Sequence, residues 1–140
     1  MNIEDEIDNI IKNIEKTEYL SFKDVEYNKQ LAIDNIYSNY MNYEVNKKNK
    51  QEAIDELKDY EYITFEQLKE GDYIRYFDLR AFYNLRLMTG GKIMKMNIND
   101  NGDMIIRSGA FLNTLKPNIF FRKIPEDTLV KMRLIEMIEK

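Results

Sequence analysis

Apolar residues in the first half of the chain recur at helical spacing. Most of them lie three, four or seven positions after the previous one, in two stripes made of Ile3, Ile7, Ile10, Ile11 and Ile14 and then Val25, Ala32, Ile36, Tyr40 and Tyr43. Each stripe would cover one face of a helix. The first stripe predicts a helix over residues 2–17. Ser21 and Asp24 approximate a capping box, which predicts the start of a second helix.

A polar run interrupts the second stripe. Residues 46–51 read NKKNKQ and contain no apolar side chain, so the pattern predicts a loop or a frayed turn there. Ala53, Ile54 and Leu57 then resume the helical spacing, which extends to about Tyr60.

Beyond residue 62 the helical spacing gives way to the alternation that is typical of strands. Thr64 and Gln67 stand in capping-box positions of a helical turn that ends at Gly71. Strands are predicted over residues 72–78, 85–88 running into 91–98, 103–108, 110–115 and 118–124. The Asn101–Gly102 pair is the clearest hairpin signal, because both residues tolerate the positive φ of a tight reversal. The Gly90–Gly91 pair is interpreted as a turn or a bulge.

A final helix is predicted over residues 126–139. Pro125 suits its first turn, and its apolar positions form a broad stripe made of Leu129, Val130, Met132, Leu134, Ile135, Met137 and Ile138. This width predicts a well-buried helix.

These elements define an α+β fold. Short, closely spaced strands without room for crossover helices predict a small antiparallel β-barrel or curled sheet. We assign residues 1–62 to an acidic, tyrosine-rich helical segment, 63–124 to the barrel and 125–140 to the closing helix. A chain of 140 residues fits one compact unit with a helical extension. The pattern leaves open whether the first helices pack on the barrel or project from it.

Composition excludes much familiar chemistry. The chain has no Cys and no His, which rules out disulfides, thiolate or imidazole metal ligands and Cys nucleophiles. The NDNGD segment lacks the bidentate Glu of a calcium loop, and no carboxylate pair or Ser, Lys arrangement is recognisable. We therefore predict a non-enzymatic protein without a metal or a cofactor. The acidic N-terminus and the lack of a long apolar run predict an intracellular protein that is not inserted in a membrane.

Charge is divided unevenly between the two halves. Residues 1–70 carry a net charge of −8 and residues 71–140 a net charge of +4. Such an asymmetry is typical of interaction segments, or of halves that complement each other in an oligomer.

The first arginines of the sequence occur beside aromatic residues. Alternation in the predicted strand places Ile74 and Tyr76 on the inner face and Arg75 and Phe77 on the outer face. Because a guanidinium pairs bidentately and stacks on rings, this stretch is a candidate partner-binding surface. Its members are Arg75, Phe77, Arg80, Phe82, Tyr83 and Arg86.

Tyrosines of the helical half form a second candidate surface, made of Tyr37, Tyr40 and Tyr43. Tyrosine is enriched where one end of a side chain is buried and the other is wet. The alternative is that these rings pack between helices with their hydroxyl groups at the rim.

A nucleic-acid-binding barrel is the alternative function. Residues 71–124 hold nine basic and four acidic side chains, and the candidate contacts are Arg75, Arg80, Tyr83, Arg86 and Arg107. The acidic first half would repel phosphate, so an ordinary charged barrel surface or a protein interface is the preferred interpretation.

One family resemblance covers residues 64–124. The stretch FEQLKEGDYIRY, followed by GGKIMKM, an Asn-Gly hairpin and FFRK, resembles small SH3-like barrels. With its high content of Asn, Ile, Lys and Tyr, the chain is also similar to small proteins of nucleocytoplasmic large DNA viruses, the giant viruses. This resemblance implies a virion or minor capsid component that contacts other protein subunits in a larger assembly or a homo-oligomer. SH3-like barrels use different faces for different partners, so it carries over no site residue.

Overall fold

The computed structural model describes residues 3–5, 21–96, 103–106, 110–113 and 118–138. Its helices are α1 (Phe22–Tyr37), α2 (Glu44–Glu56) and α3 (Glu126–Ile138). Residues 3–5 are also helical, and the rest of the helix predicted over residues 2–17 lies outside the described residues.

Six strands in the described part of the chain form one antiparallel sheet. They are β1 (Tyr60–Ile63), β2 (Tyr73–Asp78), β3 (Met88–Lys95), β4 (Asp103–Ile106), β5 (Ala110–Asn113) and β6 (Asn118–Lys123). Their order in the sheet is β1-β6-β2-β3-β4-β5. The described strands leave β1 and β5 at opposite edges, so the sheet is open. The predicted α+β fold is therefore confirmed in its curled-sheet form, without closure into a barrel.

The turn before β2 forms as its sequence predicts. The backbone N–H of Thr64 donates to Gln67 Oε1 at 2.9 Å, which caps the 3₁₀ turn at Phe65–Gln67. Gly71 has a φ of +93°, which ends this segment at little steric cost because glycine lacks a Cβ. Its N–H donates to Ile93 O at 2.8 Å and fastens the turn to β3.

The Gly90–Gly91 pair forms a β-bulge in β3. Ile74 pairs with Gly91 and Arg75 pairs with Thr89, so Gly90 is the extra residue between two adjacent partners. The bulge interpretation is confirmed. The strand begins at Met88 and not at residue 85, because residues 85–87, which follow a 3₁₀ turn at 82–84, have no regular secondary structure.

The predicted turn at Asn101–Gly102 lies outside the described residues. The strands on either side of it, β3 and β4, are nevertheless paired antiparallel, and β4 pairs in the same way with β5.

Apolar side chains cover both faces of the sheet. On one face, α1 and α2 pack over the sheet through a cluster that contains Ile33, Tyr37, Leu57, Phe77, Leu85 and Phe121. The opposite face holds a second cluster made of Ile63, Leu68, Ile74, Ile93 and Phe120. The helices of residues 22–56 therefore pack on the sheet and do not project from it.

Residues 46–51 are helical, so the loop predicted there is wrong. They form the middle of α2, and the break between helices lies at residues 38–43. The exposed lysines of this run pair with acids on the same helix, as in Lys47 with Glu44 at 3.2 Å, which favours a solvated helix. Its one buried polar residue, Asn46, is anchored by tertiary hydrogen bonds. The helix ends at Glu56, and Tyr60 already begins β1.

Helix α3 begins after Pro125 as predicted, and Leu129 N donates to Pro125 O at 3.0 Å. The prediction that this helix is well buried is wrong. Thr128, Leu129 and Met132 are its buried residues, whereas Met137 is 72% exposed. In the described residues α3 packs on Val25 of α1 and on Ile124, and these contacts cover only part of its broad apolar stripe.

Candidate functional site

Four aromatic rings meet at the surface beside the junction of α1 and α2. Tyr40 and Tyr43 come from the loop between these helices, and Phe82 and Tyr83 come from the 3₁₀ turn that precedes β3. We call these four residues the aromatic cluster. Phe82 lies at its centre, with ring centroids 5.6 Å from Tyr40, 6.3 Å from Tyr43 and 5.8 Å from Tyr83. These separations lie within the favourable range for aromatic pairs.

The cluster is partly open to solvent. Tyr43 is 38% exposed, Phe82 41% and Tyr83 60%, while Tyr40 is half-buried. Side chains predicted separately in the two halves of the sequence therefore form one continuous aromatic surface.

Asn46 of α2 holds the two segments of the cluster together. Its Nδ2 group donates to Tyr40 O at 2.9 Å and to Phe82 O at 2.8 Å. Its Oδ1 atom accepts a hydrogen bond from Leu85 N at 2.8 Å. The side chain is fully buried, so one amide satisfies three backbone groups and fixes the loop against the turn.

Two predicted partner-binding residues lie in the interior. The outer-face position predicted for Phe77 is wrong, because α1 and α2 cover that face of the sheet and leave the ring fully buried. Tyr37 is also fully buried, and its hydroxyl donates to Leu85 O at 2.8 Å. Its ring meets that of Phe77 edge-on, with centroids 5.7 Å apart. Tyr37 thus matches the alternative interpretation of a tyrosine packed between elements.

Burial, and then the charge of Glu52, raise the pKa of Tyr37 above its ordinary value. In the unfolded chain a solvated tyrosine ionises at about pH 10. The folded protein keeps Tyr37 neutral at higher pH, so this group contributes stability below about pH 10 that is lost as the pH rises further.

Tyr37→Phe is expected to lower the free energy of unfolding by about 1–3 kcal/mol at pH 7, because Leu85 O loses its hydrogen-bond donor. The difference from wild type should narrow at about pH 11, since the variant has no hydroxyl to ionise at this position. Urea denaturation of wild type and variant at the two pH values measures this difference in the free energy of unfolding. An equal difference at pH 7 and pH 11 would contradict the raised pKa of Tyr37.

The arginines of the candidate surface differ in their surroundings. Arg75 lies mostly covered beside α2, with its Nη2 atom 3.4 Å from Glu56 Oε2. Arg80 is exposed and pairs bidentately with Asp78, and these hydrogen bonds raise its pKa. Arg86 is exposed, and the described part of the chain offers it no ion pair. Arg107 lies outside the described residues.

Local carboxylates thus neutralise two of the arginines proposed to contact nucleic acid. Arg75 and Arg86 line a cavity of about 310 Å³, which Glu52 and Glu56 also line. This mixture of charges is a poor match for a phosphate backbone, which attracts proteins through uncompensated positive charge.

Carboxylates do not form a metal centre in the part of the chain that the structure describes, because no group of three or more of them converges there. No helix among the same residues is long and apolar enough to cross a membrane.

The chain was also compared with known proteins, and no family model, curated protein or solved structure matches it.

Proposed function

We propose that this protein is a non-enzymatic interaction protein that docks on another protein subunit through the aromatic cluster. The observation that carries the proposal is the meeting of four rings, three of them substantially exposed, on one surface. Tyrosine and phenylalanine are enriched in the centres of protein interfaces, where few residues supply most of the affinity.

The support beneath the cluster favours binding. Asn46 already fixes both backbone segments, so a partner does not have to order them on association. This lowers the entropic cost that binding otherwise carries. Arg80 with Asp78 precedes the turn in the chain and Arg86 follows it, which provides charged residues for a polar rim.

The nucleic-acid alternative draws less support from the geometry. Arg75 and Arg80 are paired with carboxylates of this chain, and phosphate would have to compete with those partners. Steep loss of oligonucleotide binding between low and moderate salt would support this alternative over ours.

A partner within a larger assembly is the specific form of this proposal. A virion in which this chain is a minor capsid component is one such assembly, and only the sequence resemblance and composition support it.

Site-specific cross-linking tests the docking surface. The photoreactive residue p-benzoylphenylalanine would replace Tyr83 in one variant and Tyr27, an exposed tyrosine on α1, in a matched control. In cells that make the assembly, we expect one discrete protein adduct from position 83 and none of the same mass from position 27. Mass spectrometry would identify the partner, and its presence in purified particles would support the virion hypothesis.

Affinity for that partner then provides a quantitative prediction. Tyr83→Ser should weaken binding at least about tenfold, or about 1.4 kcal/mol, because an exposed interface ring is lost. Tyr27→Ser should leave the affinity unchanged. Equal effects of the two substitutions, or an adduct formed only with nucleic acid, would contradict docking through the aromatic cluster.

A further inference from the structure

A cavity of about 470 Å³ lies between α1 and the sheet, and none of its lining residues belongs to the aromatic cluster. Leu31, Ala32 and Ile36 of α1 line one side, and Ile119 of β6 lies on the sheet side. The volume falls within the range of about 300–1,000 Å³ that is typical of small-molecule sites.

The apolar walls of this cavity are fixed by the core. Ile36 is buried, and Ala32, Leu79 and Ile119 pack against the same core cluster. Tyr62 stands over Phe121 with ring centroids 6.0 Å apart. Because these walls are held in place from behind, the cavity is preformed, as most ligand sites are.

The polar lining among the described residues consists of three carboxamides and a phenol, from Asn28, Asn35, Gln67 and Tyr62. Gln67 Oε1 accepts from Thr64 N at 2.9 Å, which leaves the Nε2 group of Gln67 as a donor in a set orientation. The side chains of Asn28 and Asn35 and the hydroxyl of Tyr62 form no hydrogen bond with the described residues. The cavity therefore offers both donors and acceptors to a ligand.

Among the described residues that line this cavity there is no Asp, Glu, Lys or Arg. A charged molecule entering it would lose hydration without meeting a counter-charge, which is unfavourable. An uncharged molecule with an apolar body loses little hydration and covers the apolar walls, including the exposed side chain of Leu31.

We propose that this cavity binds a small uncharged molecule that has an apolar body and an amide-like group able both to donate and to accept hydrogen bonds. The site is separate from the docking surface and does not depend on it.

Three probes of one shape and different charge test this inference. Benzamide is neutral, benzoate is an anion and benzamidine is a cation, and all three carry the same ring. In an NMR titration of ¹⁵N-labelled protein, we expect benzamide to shift the side-chain amide signals of Asn28, Asn35 and Gln67. Benzoate and benzamidine should bind at least about tenfold more weakly, because the described lining offers them no counter-charge.

An isosteric substitution then tests the role of charge. Asn35→Asp places a carboxylate at the cavity, so the affinity for benzamide should fall. The ratio of the affinity for benzamidine to the affinity for benzamide should rise by at least about tenfold. Asn39→Asp adds the same charge just after the same helix without lining the cavity, and it should behave as wild type. Both side chains are exposed, so circular dichroism should show an unchanged fold.

Several outcomes would overturn the inference. They are absent shifts at the three amides, equal binding of the three probes, an unchanged ratio in Asn35→Asp, or cavity shifts that follow protein concentration without any probe. The last would indicate that a second copy of the chain occupies the cavity. Tyr83→Ser should bind benzamide normally, so a failure of the docking proposal and a failure of this one are distinguishable.

Discussion

Asn46→Ala is expected to lower the free energy of unfolding by about 3–5 kcal/mol. The substitution removes one buried amide that serves Tyr40 O, Phe82 O and Leu85 N at once. Each of these backbone groups would be left without a partner, or would have to move towards water, and alanine cannot replace either the donor or the acceptor. Urea denaturation measures the loss.

Asn49→Ala is the matched control on the same helix. Asn49 forms one exposed hydrogen bond, from its Nδ2 group to Asn84 Oδ1 at 2.8 Å, so we expect a loss of less than about 1 kcal/mol. Similar losses in the two variants would show that Asn46 does not hold the loop to the turn. Binding to the docking partner should weaken in Asn46→Ala even where the protein is still folded, because the rings lose their fixed positions.

Local sequence signals predicted the elements whose stabilising contacts are also local. Ser21 caps α1 by accepting from Asp24 N at 3.2 Å, and Thr64 and Gln67 pair within one turn. The alternation in β2 placed Ile74 and Tyr76 on one face and Arg75 and Phe77 on the other, and the two buried members, Ile74 and Phe77, do belong to different core clusters. These features depend on neighbours within a few positions.

The errors arose where distant contacts decide the outcome. Asn46 lies within a polar run, and two of its partners are 36 and 39 positions away, so no periodicity marks it as buried. The solvent-facing prediction for Phe77 failed because alternation says which residues share a face but not what covers that face. Helices cover the face of the sheet that holds Phe77, and a second apolar cluster covers the face that holds Ile74. Both Phe77 and Ile74 therefore lie in a core.

The candidate site was predictable in parts but not as a unit. The sequence singled out Tyr40 and Tyr43 in one half and Phe82 and Tyr83 in the other as separate candidate sets. Their meeting depends on how the α1–α2 loop lies against the turn before β3, which is a tertiary arrangement. The cavity beside α1 was not predicted, since only the fold brings Gln67, from the turn before β2, to the same cavity as Asn28 and Asn35 of α1.

Gly90→Ala is expected to lower the free energy of unfolding by about 3 kcal/mol or more. A Cβ at this position would lie 2.7 Å from Ile74 O and 2.9 Å from Ile74 Cγ1. Relief would require movement of the β2 backbone, but β2 is paired with β3 on one side and β6 on the other. The strand therefore cannot withdraw without loss of hydrogen bonds to a neighbour.

Gly71→Ala separates this steric effect from the general loss of a glycine. Gly71 has a positive φ of +93°, but nothing lies within 4 Å of its added Cβ. Its substitution should cost only the backbone strain of a left-handed conformation, about 1–2 kcal/mol. Urea denaturation of both variants gives the comparison. Only the close contact with the Ile74 backbone makes Gly90→Ala the more costly of the two substitutions. A loss in Gly90→Ala no larger than that in Gly71→Ala would therefore mean that an added Cβ at Gly90 does not come within 2.7 Å of Ile74 O.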